Sequence, residues 1–233
     1  MRVMSLFMVG ALALTAANLS AESGRQESTE RLQLASDTLK AMIDTPDKGI
    51  PEEVLSNAKC IVVVPHLLKG GFVVGAEHGR GVATCRTPEG WSAPAFVSIG
   101  GGSWGLQIGV EGVDLVMLAM NDHGLQHLLS NKFKIGADAS ASAGPVGRHA
   151  SAGTDWKMDS ELLTYSRSKG VFAGISLDGA VVQQDMDSTR AIYGHEPTFR
   201  AILAGKVHAP DSTLAFIHEI TSAAHVSAVA DAK

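Results

Sequence analysis

Six basic side chains stand where turns or extended segments can present them together. Lys69 precedes Gly70-Gly71, and Lys132 and Lys134 alternate on one face of an extended segment. Arg148 follows the turn Gly144-Pro145-Val146-Gly147, and Arg167 and Lys169 alternate beside Ser166 and Ser168. Turn glycines bare backbone N–H groups that can hold an anion, and arginine offers a forked phosphate donor. The chemistry this pattern suggests is anion binding. Each Lys or Arg near an anionic surface contributes about 1 kcal/mol, so six give at most about 6 kcal/mol. Micromolar affinity needs about 8 kcal/mol. Charge alone therefore binds weakly, and useful affinity requires inserted apolar groups or a headgroup pocket. The plainer reading is six solvated surface charges that do not converge.

Other chemistry is less well supported. Gly101-Gly102-Ser103-Trp104-Gly105 matches the G-x-S-x-G esterase motif, which needs a sharp strand-to-helix turn around Ser103. A strand pattern precedes Ser103, but a strand pattern also follows it, so the match reads as a glycine-rich β bend. His123 and His127 have the i, i+4 spacing of a zinc pair, but H-E-x-x-H fails for want of a glutamate at position 124. Asp114 is the only charge in the apolar run 113–120, and it must be paired, hydrogen-bonded or protonated if buried. The structural role outweighs the catalytic one, with backbone N–H groups at a bulge near Gly112 as its expected partners. No nucleotide-binding glycine loop or EF-hand is present, so the expectation is a non-enzyme with no cofactor and no metal.

The elements that must position these residues follow from periodicity. Val, Ile, Phe and Trp runs alternate with glycines from Ala58 to Gly112, which predicts a bent, glycine-jointed antiparallel sheet. Within it Trp104, Leu106, Ile108 and Val110 fall on one face, read as the core face, opposite Ser103, Gln107 and Glu111. The run 113–120 reads as a central strand buried on both faces. In 132–144, Phe133, Ile135, Ala137, Ala139, Ala141 and Ala143 alternate with polar residues, which predicts one long strand closely packed on its alanine face. Tyr165, Arg167 and Lys169 share a face of the next strand. Val171, Ala173, Ile175 and Leu177 continue as a strand, and Asp178-Gly179 signals a hairpin before 180–183. Leu32, Ala35, Leu39, Met42 and Ile43 have helical spacing over 27–43, and a short helix is expected from Pro51 to Ala58. Three helices close the chain: one capped by Asp185 or Asp187 and ended by Gly194, one from Thr198 to Gly205, and one from Asp211 or Ser212 to about Ala224. The fold class is α+β: a strongly bent antiparallel β-sandwich or open barrel flanked by an N-terminal helix and short C-terminal helices.

Several segments also resemble a known family. PHLLKGGFVVGAEHGRGV and WSAPAFVSIGGGSWGLQIGVE are similar to the signature blocks of the SYLF domain. DLVMLAMN, KIGADASASAGPVGR and YSRSKGVFAGISLDGAVV resemble its later blocks in the same order, so the likeness runs from about Leu32 to Gly194. The family binds lipid, phosphoinositides in eukaryotes, and some fungal members bind and bundle actin; bacterial members are mostly envelope proteins. The resemblance implies anionic phospholipid headgroups as the partner of the basic set. A structural or protein-partner-binding role without a lipid site is the alternative, and a serine hydrolase using Ser103 is third. An N-terminal amphipathic segment is the suspected membrane contact in eukaryotic members. Here that helix carries Arg31 and Lys40 against Glu27, Glu30 and Asp37, and anionic lipid repels such a face. Packing on the sheet is the expectation instead.

The first residues, MRVMSLFMVGALALTAANLSA, read as a secretory signal cleaved after Ala21, with residues 22–233 as one domain. The core is expected over about 32–194, with a helical extension over 195–225, in an exported, periplasmic or secreted protein. Net charge is −5, which disfavours nucleic acid. Residues 59–170 nevertheless hold ten basic and nine acidic side chains, so the slight basic excess lies in the sheet blocks. Cys60 and Cys85 are the only cysteines. A hairpin of 60–64 against 72–86 would leave them about 30 Å apart along the strand, too far for a disulfide. That hairpin favours two separate buried thiols, although an oxidising compartment favours the bond.

Overall fold

Two long strands make the frame, because the stretch from Cys60 to Ala119 carries β-formers and glycines and lacks any helical spacing. A computed structural model describes residues 3–45, 49–146, 161–168, 171–172 and 177–230. Helix α1 (Val3–Ile43) leads to a short α2 (Glu52–Asn57). Strand β1 (Cys60–Thr87) then runs to β2 (Gly90–Trp91) and returns as β3 (Ala95–Ala119). β1 and β3 pair antiparallel from Cys60↔Ala119 to Ala83↔Ala95. Further on come α3 (Asp122–Leu128), β4 (Lys132–Lys134), β5 (Ala141–Ala143), β6 (Leu162–Ser168), β7 (Val171–Phe172) and β8 (Val181–Gln184). The chain closes with α4 (Met186–Tyr193), α5 (Phe199–Leu203), a 3-10 turn (Asp211–Thr213) and α6 (Leu214–Ala230).

The long ribbon curls until the two halves of β1 meet. The Arg86 N–H donates to Lys59 O at 2.7 Å, and Cys60 and Cys85 form a disulfide with their Cα atoms 4.0 Å apart. The expected separate thiols are thus corrected. The hairpin that kept them apart does not exist, because 60–64 and 72–86 belong to one strand that bends back on itself. Close approach needs glycine here: a Cβ on Gly81 would sit 2.2 Å from Val63 O, and one on Gly79 would sit 2.8 Å from the Leu67 and Val64 side chains. The pairing of β1 with β3 is irregular between Gly71 and Val73, midway between the cysteines. There Gly71↔Gly109 is followed by Val73↔Gly105, so β3 spends two more residues than β1. An extra-residue bulge of this kind increases the local bend.

Each half of the ribbon recruits further strands. β6 pairs with β3 from Asp114↔Arg167 to Ala119↔Leu162, while β8 pairs with its other half from Val97↔Gln184 to Gly100↔Val181. β4 extends β8, and β7 extends β6 antiparallel. β5 joins β6 parallel, so the curled open sheet is mixed rather than purely antiparallel. The α+β class and the bent, open sheet hold. The expected long strand over 132–144 is broken, because Gly136 has φ 83° and Asp138 N–H turns back to Lys134 O. Consequently Ala139 is buried but Ala137 and Ala143 are exposed. Ala173 and Ile175, assigned to the following strand, lie outside the described residues; Val171 opens β7, and Leu177 is buried beyond it.

Alternation divides the sheet into two buried faces. Val62, Val64, Val97, Ile99, Leu115 and Met117 point into the curl with Phe133, Leu162 and the α5 residues Phe199 and Ile202. Ile61, Val63, Val82, Phe96, Val116 and Leu118 point outward, where Leu32, Ala35, Leu39 and Met42 of α1 cover them. The N-terminal helix therefore packs on the sheet as its spacing predicts. Burying each such Leu or Met contributes about 2–3 kcal/mol. The C-terminal caps also follow local sequence. Asp185 Oδ1 accepts from Ser188 N–H at 3.1 Å, Thr198 Oγ1 accepts from Ala201 N–H at 3.2 Å, and Gly194 and Gly205 end their helices at φ 74° and 73°.

Tyr165 and Tyr193 are the only tyrosines, and burial raises both phenols well above the usual tyrosine value of about 10. The folded chain holds these protons more tightly than the unfolded one. Their contribution to stability is thus full below about pH 10 and is lost as pH climbs further. A phenolate absorbance titration should stay flat through pH 10 and then rise together with loss of the circular dichroism signal. A step near pH 10 in folded protein would contradict this burial.

Candidate functional site

Of the six sequence-selected cations, the structure leaves Lys132 and Lys134 exposed side by side. They flank buried Phe133 on β4, so both point to the outward face of the sheet. Lys134 lies in register with Val181 and Gly100, and Lys132 with Gln183 and Ser98. Lys69 is corrected from the set: it is buried inside the curl with its Nζ 3.4 Å from Oε2 of Glu77, itself almost fully buried. That contact is an ion pair without hydrogen-bond alignment. Lys69 ties the two halves of β1 and is not available to a surface. Arg167 is also corrected. It faces α1, donating to Ala41 O at 3.3 Å and to Asp114 Oδ2 at 3.2 Å. Arg148 and Lys169 lie outside the described residues.

Asp114 has the structural role expected of it, with different partners. It accepts from Arg167 and from the His66 backbone N–H at 3.2 Å, at the bulge where β1 shifts register between Val64 and Leu67. His66 takes φ 53° to make that bulge, a left-handed conformation uncommon outside glycine but enriched at Asn, Asp and His. Ser103 pairs with Gly75 inside β3, with extended backbone on both sides. The strand-to-helix turn of a nucleophile elbow is not formed. His127 sits on α3 with Nε2 3.8 Å from Glu161 Oε2 and its ring against Phe133. Among the described residues no group of three or more His, Cys, Asp or Glu side chains could hold a metal ion.

Two features escaped sequence reasoning. The first is an ion network under α1. Arg31, 6 % exposed, donates to Asp185 Oδ2 at 3.1 Å, Ser188 Oγ at 2.7 Å and Glu27 Oε1 at 3.0 Å. Arg80 of β1 reaches the same Glu27 at 2.8 Å. Arg31 and Glu27 thus clamp α1 to β1 and α4, while Glu30, Asp37 and Lys40 stay exposed on the helix. The second is an exposed apolar patch beside the bend. Val110 is 81 % exposed and Leu68 is 52 % exposed. Leu68 pairs with Gly112 and Gly70 with Val110, so Leu68 and Val110 are diagonal neighbours on the outward face. The reading of Val110 as core-facing is overturned. Among the described residues neither sheet nor helix covers the outward face at Val110. Beside this patch a cleft of about 280 Å³ opens between α1 and the two halves of β1. Glu30 and Leu34 line it from the helix, with His66, Leu68 and His78 from the strand.

The described residues form a clasped β-ribbon with an exposed apolar patch beside its bend. The comparisons agree on the family. The Ysc84 family model, described as "Las17-binding protein actin regulator", matches residues 100–223. The chain belongs to this Ysc84/SYLF family. It is 36% identical over 165 residues to SH3 domain-containing protein PJ696.02 of Schizosaccharomyces pombe, covering 69% of this chain and 38% of that protein. It is 34% identical over 167 residues to SH3 domain-containing YSC84-like protein 1 of Rattus norvegicus, covering 71% and 49%. Protein YSC84 of Saccharomyces cerevisiae is 34% identical over 168 residues, covering 70% and 36%. The matched segment thus spans half or less of the length of these relatives.

Proposed function

We propose that this chain is a non-enzymatic protein that docks on anionic phospholipid surfaces outside the cytoplasm. One observation carries the reading: exposed Lys132 and Lys134 share the outward face of a single sheet with exposed Leu68 and Val110. Two cations contribute about 2 kcal/mol at an anionic surface. Full burial of a Leu or Val side chain contributes about 1.5–3 kcal/mol each. The two kinds of contact together approach the roughly 8 kcal/mol of micromolar binding, and neither alone does. The secretory pattern of Met1–Ala21 supports export, and so does the Cys60–Cys85 disulfide, since such bonds persist in oxidising compartments. Among the described residues no helix is long and apolar enough to cross a membrane, so the association proposed is peripheral.

Lys132→Glu/Lys134→Glu should reduce co-sedimentation with phosphatidylglycerol vesicles by on the order of tenfold or more, since four charge units change at about 1 kcal/mol for each of two lost cations. Raising salt should weaken the wild type and have little effect on the variant. Unchanged binding in the variant would remove the electrostatic part of the proposal. A second reading rests on the family's description as Las17-binding. On that reading the outward face takes a protein partner, and vesicle binding is absent.

A further inference from the structure

We infer that the bend of the β1/β3 ribbon is the element that enters the bilayer interface, in place of the N-terminal helix. This inference rests on the lipid-docking reading and specifies its contact. The helix is unsuited to the task, because Leu32, Ala35, Leu39 and Met42 are spent on the sheet and Arg31 on the Asp185 network. The bend has the opposite character. Residues 70–76 and 99–110 contain no charged side chain, and their sequence includes Phe72, Val73, Val74, Trp104, Leu106 and Ile108. Val110 and Leu68 stand exposed at one end of this neutral stretch. At its other end Gly100 and Ser98 lie in the same hydrogen-bonded rows as Lys134 and Lys132. A segment apolar and aromatic in sequence, bounded by exposed Leu68 and Val110 and by the cations Lys132 and Lys134 on the outward face, complements the bilayer interface, where indole rings settle at headgroup depth and phosphates lie just outside. The glycines are consistent with a shallow wedge. An open ribbon edge cannot go into hydrocarbon, but its backbone groups stay hydrated at the headgroup level.

The test uses the full chain with Trp91→Phe and Trp156→Phe, which leaves Trp104 as the only indole. Phosphatidylglycerol vesicles carrying acyl-brominated lipid should quench Trp104 fluorescence. Leu68→Asp/Val110→Asp changes two exposed side chains, so the fold should survive. This variant should lose quenching and bind at least tenfold more weakly at any salt concentration, whereas Lys132→Glu/Lys134→Glu should regain some binding on vesicles made less anionic. If Leu68→Asp/Val110→Asp sediments like the parent, or if the parent binds without quenching, the bend is not the contact, while the lipid reading stands. If the parent sediments with no vesicle, both fall. If the parent dimerises in solution and the Asp variant does not, the face is a protein interface, and the inference is overturned.

Discussion

Arg31→Ala is expected to destabilise the fold by about 3–5 kcal/mol, the range for removing one partner of a buried ion pair. The guanidinium bonds Asp185, Ser188 and Glu27 together, and it lies 5.9 Å from the Phe96 ring centroid. Its loss leaves the Asp185 carboxylate, 7 % exposed, with Ser188 and a longer 3.8 Å contact to Arg80. The loss weakens a junction of three elements, because Arg31 is on α1, Asp185 caps α4, and Arg80 is on β1. Arg31→Lys should recover only part of the loss, since an ammonium cannot reproduce the fork that reaches three oxygens. Urea unfolding of the two variants against wild type measures this. A change below about 1 kcal/mol for Arg31→Ala would mean that the network is not load-carrying in solution.

The second large effect is the disulfide. With a sequence separation of 25 residues, the chain-entropy relation gives a stabilisation of about 3.5 kcal/mol for the Cys60–Cys85 bond. Cys60→Ala/Cys85→Ala should lower stability by about that amount. Both cysteines are fully buried, so the oxidised protein should resist reductant until it unfolds. A thiol assay on protein unfolded without reductant should find no free thiol. Two free thiols per chain would contradict the clasp, and an alanine pair as stable as wild type would contradict its energetic role.

What sequence could and could not reveal divides by range. Caps at Asp185 and Thr198 and terminators at Gly194 and Gly205 depend on residues within one turn, and each was legible. So was the central strand around Leu115–Ala119, whose apolar run needs no knowledge of its neighbours. The clasp was not legible, because it depends on a strand meeting its own start 25 residues later. Gly79 and Gly81 were its signal, yet glycine in a strand marks a close approach without naming what approaches. Lys69 and Arg167 were misread for a related reason. Alternation sorts side chains by face, but it does not say that Glu77 lies opposite one, or that α1 and Asp114 lie against the other. The reading of α1 as sheet-packed survived because helical spacing carries both the packed stripe and its period.

The central claim is that the exposed outward face binds an anionic lipid surface. The most direct measurement is co-sedimentation of the wild-type protein with phosphatidylglycerol or cardiolipin vesicles against phosphatidylcholine, at low and physiological salt. The account predicts binding to the anionic vesicles that weakens as the Debye length shrinks to about 8 Å, with little binding to the neutral ones. Equal sedimentation with both vesicle types, or with neither, would contradict it.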